Sequence, residues 1–113
     1  MDLFADERPS IDLEFRGEVI LWRGPAPYLF LPVPEAESAE IAAVASLVTY
    51  GWGVIPVAVR IGESTWTTSL FPRNGRYLVP IKVAIQKAES LEVGDSVAAS
   101  LSITLPDLIP PDR

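Results

Sequence analysis

The 113-residue chain contains no histidine and no cysteine. Without histidine it lacks the side chain that most often serves as general base near neutral pH, and the Ser–His and Cys–His nucleophile pairs go with it. Without cysteine there are no disulfides and no tetrahedral thiolate–imidazole zinc site. Carboxylates alone can hold a hard cation, but no EF-hand spacing or paired-carboxylate motif occurs. Neither "YGWG" (50–53) nor "RNGR" (73–76) has the spacing of a phosphate-cradling loop. No cofactor and no metal are therefore expected. Long apolar runs are missing too, none reaching the ~18 residues that span a bilayer. The start, "MDLFADERPS", is acidic and polar, unlike a secretory leader. These absences predict a cytoplasmic protein with no membrane partner.

What is present is apolar and acidic. Hydrophobic residues make up 49% and mean hydropathy is +0.27, which predicts one packed domain rather than a disordered chain. The net charge of −6 is uneven. Residues 1–40 hold nine acids and three bases (−6); residues 88–113 hold five acids and Arg113 (−4). Between them, Arg60, Arg73, Arg76, Lys82 and Lys87 face only Glu63, giving 41–87 a charge of +4. A duplex-DNA binder carries a broad basic face; a chain of pI about 4.5 does not.

The patterning alternates strands with two helices. "IDLEFRGEVILW" (11–22) alternates apolar and polar, as a strand with one wet side does. "RGPAP" closes a hairpin, and "YLFL" (28–31) returns until Pro32. "PEAESAEIAAVASLV" (34–48) is predicted to be a helix, with early glutamates at the positive end of its dipole and Ile41, Val44, Ala45 and Val48 as its apolar stripe. "VIPVAVRI" (54–61) and "TWTTSLF" (65–71) are predicted strands, and "PRNGR" (72–76) a hairpin loop. Tyr77–Val79 is a short strand stopped by Pro80; Ile81, Ala84, Ile85 and Ala88 then mark a second helical stripe. Gly94-Asp95 turns the chain into "SVAASLSI" (96–103). The domain is expected over 11–105, between a flexible arm at 1–10 and a proline-rich tail at 106–113.

The order strand, hairpin, short Tyr-Leu strand, proline, helix, glycine turn, strand occurs twice. The economical fold is therefore mainly β with two helices: a single-chain double-split β-barrel built from two β-β-α-β halves. Because both halves are in one chain, a monomer is expected. The alternative is an α+β sandwich of two unrelated stretches. "YLVP…AIQKAESLEVGD.V" resembles the strand–Pro–helix–GD–strand unit of AbrB/MazE-type transcription factors, in which two chains interlock into such a barrel. Residues 13–105, through "FRGEVILWRGPAPYLFLPVP", "YGWGVIPV", "TTSLFPRNGRYLVPIK" and "LEVGDSV", resemble the domain-of-unknown-function family DUF1905, sometimes joined to bacteriocin-protection domains. That resemblance implies the same barrel in a single chain and no established function. Where the family pattern commonly has Arg before Lys87, this chain has Gln86, so a cation is missing there.

Three function classes stay open. The favoured one is a non-catalytic binding module for a small molecule or a protein partner, carried by Trp22, Tyr28, Tyr50, Trp52, Trp66, Phe71 and Tyr77. Its site is expected where Tyr50 and Trp52 lie among glycines, beside Arg73, Arg76 and the Lys82 helix start, with Arg60 adding a cation. Most of these aromatics are nevertheless expected to fill the barrel and its ends. A nucleic-acid-binding barrel by AbrB analogy is the second class. An enzyme is the third, drawn around Ser64 or Ser69 with Lys82, although no third orienting group accompanies them. Labelled random duplex DNA should show flat anisotropy up to roughly tens of micromolar protein at physiological salt, and a steep salt-dependent transition below that would reverse the reading of the charge.

Overall fold

The computed structural model of the chain describes residues 10–23, 28–48 and 55–105, with the side chains of 46–48 set aside. Residues 1–9 of the expected arm, the tail, residues 24–27 of the first hairpin loop and the "YGWG" turn lie outside these residues. The described elements are β1 (Ser10–Glu18), β2 (Ile20–Trp22), β3 (Tyr28–Pro32), α1 (Glu35–Val48), β4 (Ile55–Ile61), β5 (Ser64–Arg73), β6 (Arg76–Ile81), α2 (Val83–Ala88) and β7 (Ser96–Thr104). The fold is mainly β with two helices. Its seven strands form one curled antiparallel sheet, a half-barrel, in the order β1-β7-β4-β5-β6-β3-β2.

The curl follows from chain continuity. β1 and β2 occupy opposite ends of the sheet, yet only Val19 separates them in sequence. The ends must therefore come back towards each other. At Val19 the backbone is gripped by the Gly94-Asp95 turn: its N–H donates to the Asp95 carbonyl at 2.9 Å, and its carbonyl accepts from the Gly94 N–H at 2.8 Å. Gly94 has φ +95, a conformation that disfavours any side chain, and the Asp95 carboxylate accepts from the Glu92 N–H at 2.9 Å to hold the turn. Two residues before the bend, β1 crosses close to β3. A Cβ at Gly17 would stand 2.7 Å from the Pro32 carbonyl oxygen, so only glycine permits this approach.

Alternation fills the inside of the curl. Leu13, Phe15, Leu29, Leu31, Val57, Val59, Trp66, Val79, Leu101 and Ile103 all belong to one buried cluster, with Ile41 of α1 closing one end. α1 keeps the expected Ile41 inside, and Ala45 packs on the cluster as a half-buried neighbour. One buried hydroxyl ties α1 to the sheet. Ser38 Oγ donates to the Val33 carbonyl at 3.1 Å and accepts from the Tyr77 N–H at 3.3 Å.

Three sequence expectations change. The strand over 11–22 is two strands, because residues 10–18 pair with β7 while 20–22 pair with β3. Pro80 does not stop β6: it pairs with Phe30, and its carbonyl accepts from Trp66 Nε1 at 3.2 Å. A proline loses only its donor, and here the acceptor is still used. The second helical stripe shrinks to one residue. Ile85 packs half-buried on the core, but Ile81 ends β6, Ala84 and Ala88 are exposed, and α2 fully buries none of its six residues. So short a helix is held by its ends: the Leu91 N–H donates to the Gln86 carbonyl at 2.9 Å, and Ser64 Oγ donates to Glu89 Oε2 at 2.6 Å. The turn at Asn74-Gly75 is as expected, with φ 52 and 78, but tighter, since Arg73 already pairs with Arg76.

Two substitutions measure these devices. Leu31→Ala, at a fully buried side chain, should cost about 2–5 kcal/mol in denaturant unfolding. Ser38→Ala removes almost no volume but strands the Tyr77 N–H, and should cost about 1–3 kcal/mol. A negligible loss for Ser38→Ala would show that α1 is not tied down there.

Candidate functional site

The four strands β2, β3, β6 and the end of β5 are apolar on both parities. Leu29, Leu31, Tyr77, Val79 and Ile81 point into the core. The alternate residues form the opposite face. Register places Ile20 opposite Phe30 and Phe30 opposite Pro80, then Pro32 opposite Leu78 and Leu78 opposite Phe71. Trp22 and Tyr28 extend this face at one end, and Arg73 and Arg76 at the other. Aromatic and proline side chains on a face away from the core are costly to leave wet, and such faces mark interaction sites.

The face is partly self-covered. Leu78 is buried although it lies outside the core cluster. Tyr28 and Phe30 rings lie 5.7 Å apart, and Phe30 meets Phe71 edge-on at 6.4 Å. Trp22 and Phe71 nevertheless stay 46% and 44% exposed, which makes them the two largest aromatic rings offered to solvent among the described residues. The Arg73 guanidinium carbon sits 4.8 Å from the centre of the Trp22 ring. Those two residues stand at opposite corners of the paired strands. Their contact brings the two ends of the face together along that diagonal. Arg76 lies directly across the ladder from Arg73, and its Nε donates to the Val33 carbonyl at 3.1 Å. A half-wet aromatic surface beside two guanidinium groups suits an apolar ligand carrying an anionic group.

The sequence candidates are only partly brought together. Arg73 and Arg76 meet on this face. Arg60 lies in register with Thr65 and Ser100 on another part of the sheet, its Nε bonded to the Gly62 carbonyl at 3.0 Å. There it borders an open depression of about 470 Å³ shared with Glu14, Arg16 and Ser100. Lys82 is exposed at the start of α2, at the end of β6 away from the hairpin. Tyr50 and Trp52 lie outside the described residues. Trp66 and Tyr77, both in the expected aromatic set, are core side chains. The Ser64 hydroxyl is given to Glu89 rather than to a lysine. Among the described residues no cluster of three or more acids could hold a metal ion, and no helix is long and apolar enough to cross a membrane.

The family model described as Domain of unknown function (DUF1905) matches residues 15–101. The chain belongs to this family. No curated protein matches it. The matched span of the DUF1905 chain runs from the middle of β1 to β7 and contains Trp22, Phe30, Phe71, Arg73 and Arg76. Phe30 is the member of this face that sequence reasoning passed over. Its signal lay in "YLFLP", where Tyr28 and Phe30 alternate with Leu29 and Leu31. A strand apolar on both parities carries apolar side chains on its second face as well as on its core face.

The exposure difference between the two described tryptophans is testable. Trp22→Ala, on the half-open face, should cost about 1–2 kcal/mol in urea unfolding, while Trp66→Ala, in the core, should cost about 3–5 kcal/mol. Equal losses would mean that Trp22 is a packing residue.

Proposed function

We propose that this DUF1905 domain is a non-catalytic binding module, acting as a monomer in the cytoplasm. Its recognition surface is the aromatic–arginine face of β2, β3, β6 and the end of β5. The half-exposure of Trp22 and Phe71 on one face carries the reading. Packing alone would have turned those rings inward or replaced them with polar residues. The reading keeps Arg73 and Arg76 from the sequence candidates and moves the aromatic floor from the "YGWG" turn to Trp22, Phe30 and Phe71.

We further read the scaffold as a single-chain double-split barrel of two β-β-α-β halves. Equivalent strands make equivalent pairs, which supports it. β1 pairs with β7 before the chain passes on to the β2–β3 hairpin; β5 pairs with β4 before it passes on to the hairpin with β6. The remaining pairs, β3 with β6 and β4 with β7, each join one half to its counterpart. In this arrangement the recognition face belongs to neither half alone.

A thermal-shift screen of small molecules and short peptides tests the binding reading. A ligand at about 100 times its Kd should add about 2.7 kcal/mol, a shift of several degrees. The double variant Trp22→Ala/Phe71→Ala should stay folded and lose that shift. A ligand whose shift survives in the double variant would overturn the assignment to this face.

A further inference from the structure

We infer that the partner of the aromatic face is a short extended peptide segment that sets an aspartate or glutamate beside an apolar anchor such as proline or leucine. The inference rests on the reading of this face as the recognition surface. Three observations carry it.

The first is electrostatic. Arg73 and Arg76 are directly opposed in the rung next to the turn and share one face. Like charges in that relation are destabilising. Each guanidinium is instead held by a separate neighbour: Arg73 over the Trp22 ring at 4.8 Å, and Arg76 through Nε to the Val33 carbonyl at 3.1 Å. Both side chains are exposed on that face, and a carboxylate bound beside the pair would offset the repulsion and accept charge-assisted hydrogen bonds.

The second is size. Trp22 and Phe71, half exposed, offer on the order of 200 Å² of ring surface, far below the ~800 Å² per partner of a stable globular interface. That area fits a few residues of extended chain, whose alternate side chains meet the sheet.

The third is what the charge rejects. A second copy docking two-fold through this face would bring two arginine pairs, four cations, into one small interface. Single-stranded nucleic acid stacks on aromatics too, but it needs a basic groove that follows several phosphates. Two arginines on a chain of net charge −6 do not supply one. The net charge also repels an acidic peptide at long range. Screening within about 8 Å at physiological salt leaves the local pair to decide.

The test is selection of the full-length chain against a random peptide library displayed on phage. Selected peptides are then synthesised and titrated by fluorescence anisotropy against wild type, Trp22→Ala and Arg73→Glu/Arg76→Glu, each checked for folding by circular dichroism. The expected result is enrichment of peptides pairing an acid with proline, leucine or an aromatic residue. Charge reversal should weaken them by about tenfold or more and switch the selection to Lys- or Arg-bearing peptides. Neutral or basic winners from wild type, or acidic winners indifferent to the charge reversal, would overturn the acidic-partner inference and leave the face standing. Winners indifferent to Trp22→Ala would overturn both. An empty selection would overturn the peptide assignment, as would oligo(dT) binding that depends on Trp22; the small-molecule arm of the thermal-shift screen would still test the face by itself.

Discussion

Val19 exchanges both of its backbone hydrogen bonds with the Gly94-Asp95 turn, while its side chain is fully buried. That pair of bonds fixes the point where one continuous stretch of chain leaves β7 and joins β3. Both ends of the sheet are made from this stretch, so the position of the bend sets how far the sheet curls. The close passage of Gly17 over the Pro32 carbonyl is the same constraint seen from the other side. A looser turn at 94–95 would release the end strands, and with them an edge row of unpaired peptide groups. The strand–helix–Gly-Asp–strand unit therefore has a structural purpose. It delivers a clamp to a residue far away in sequence.

The aromatic face follows from the same economy. Curling places one parity of every strand inside. In β4 and β7 the other parity is small or polar, as Ala58, Arg60, Ala98 and Ser100 show. In β2, β3 and β6 it is aromatic, aliphatic or proline, although those strands are shorter and less fully paired. Prolines at 32, 72 and 80 remove three backbone donors from this region. Its cohesion depends correspondingly more on ring contacts such as Phe30 with Phe71. One surface thus combines rings that pack on one another with rings left half open to solvent.

Much of the architecture was legible because period-2 alternation and turn chemistry are local. Strands β1, β4 and β7, helix α1 and the Asn74-Gly75 turn all followed from windows of about ten residues. What was not legible was non-local. Nothing within 11–22 says that Val19 will be seized by a turn some seventy-five residues later. Pro80 read as a stop because its missing donor is visible in sequence, whereas the indole that uses its carbonyl comes from another strand. The α2 stripe misled for a related reason. Ile81 and Ile85 have helical spacing, but Ile81 is spent on the sheet before the helix begins. Of the residues on the candidate face, Trp22, Tyr28, Phe71, Arg73 and Arg76 could be named from sequence, but their grouping could not, because the contact of Trp22 with Arg73 joins strands that are not neighbours in the sheet.

The Val33 carbonyl has two lone pairs and two donors: Ser38 Oγ from the helix side and Arg76 Nε from the hairpin side. Its own N–H is given to the Tyr77 carbonyl at 2.8 Å. With Nε donating to this carbonyl, the two terminal nitrogens of the Arg76 guanidinium keep their own donors for other partners. A lysine could satisfy the carbonyl or a ligand, but its single ammonium has no rigid fork with which to do both. Position 76 therefore calls for arginine rather than for positive charge alone, because one side chain ties the hairpin to Val33 and still keeps donors to spare.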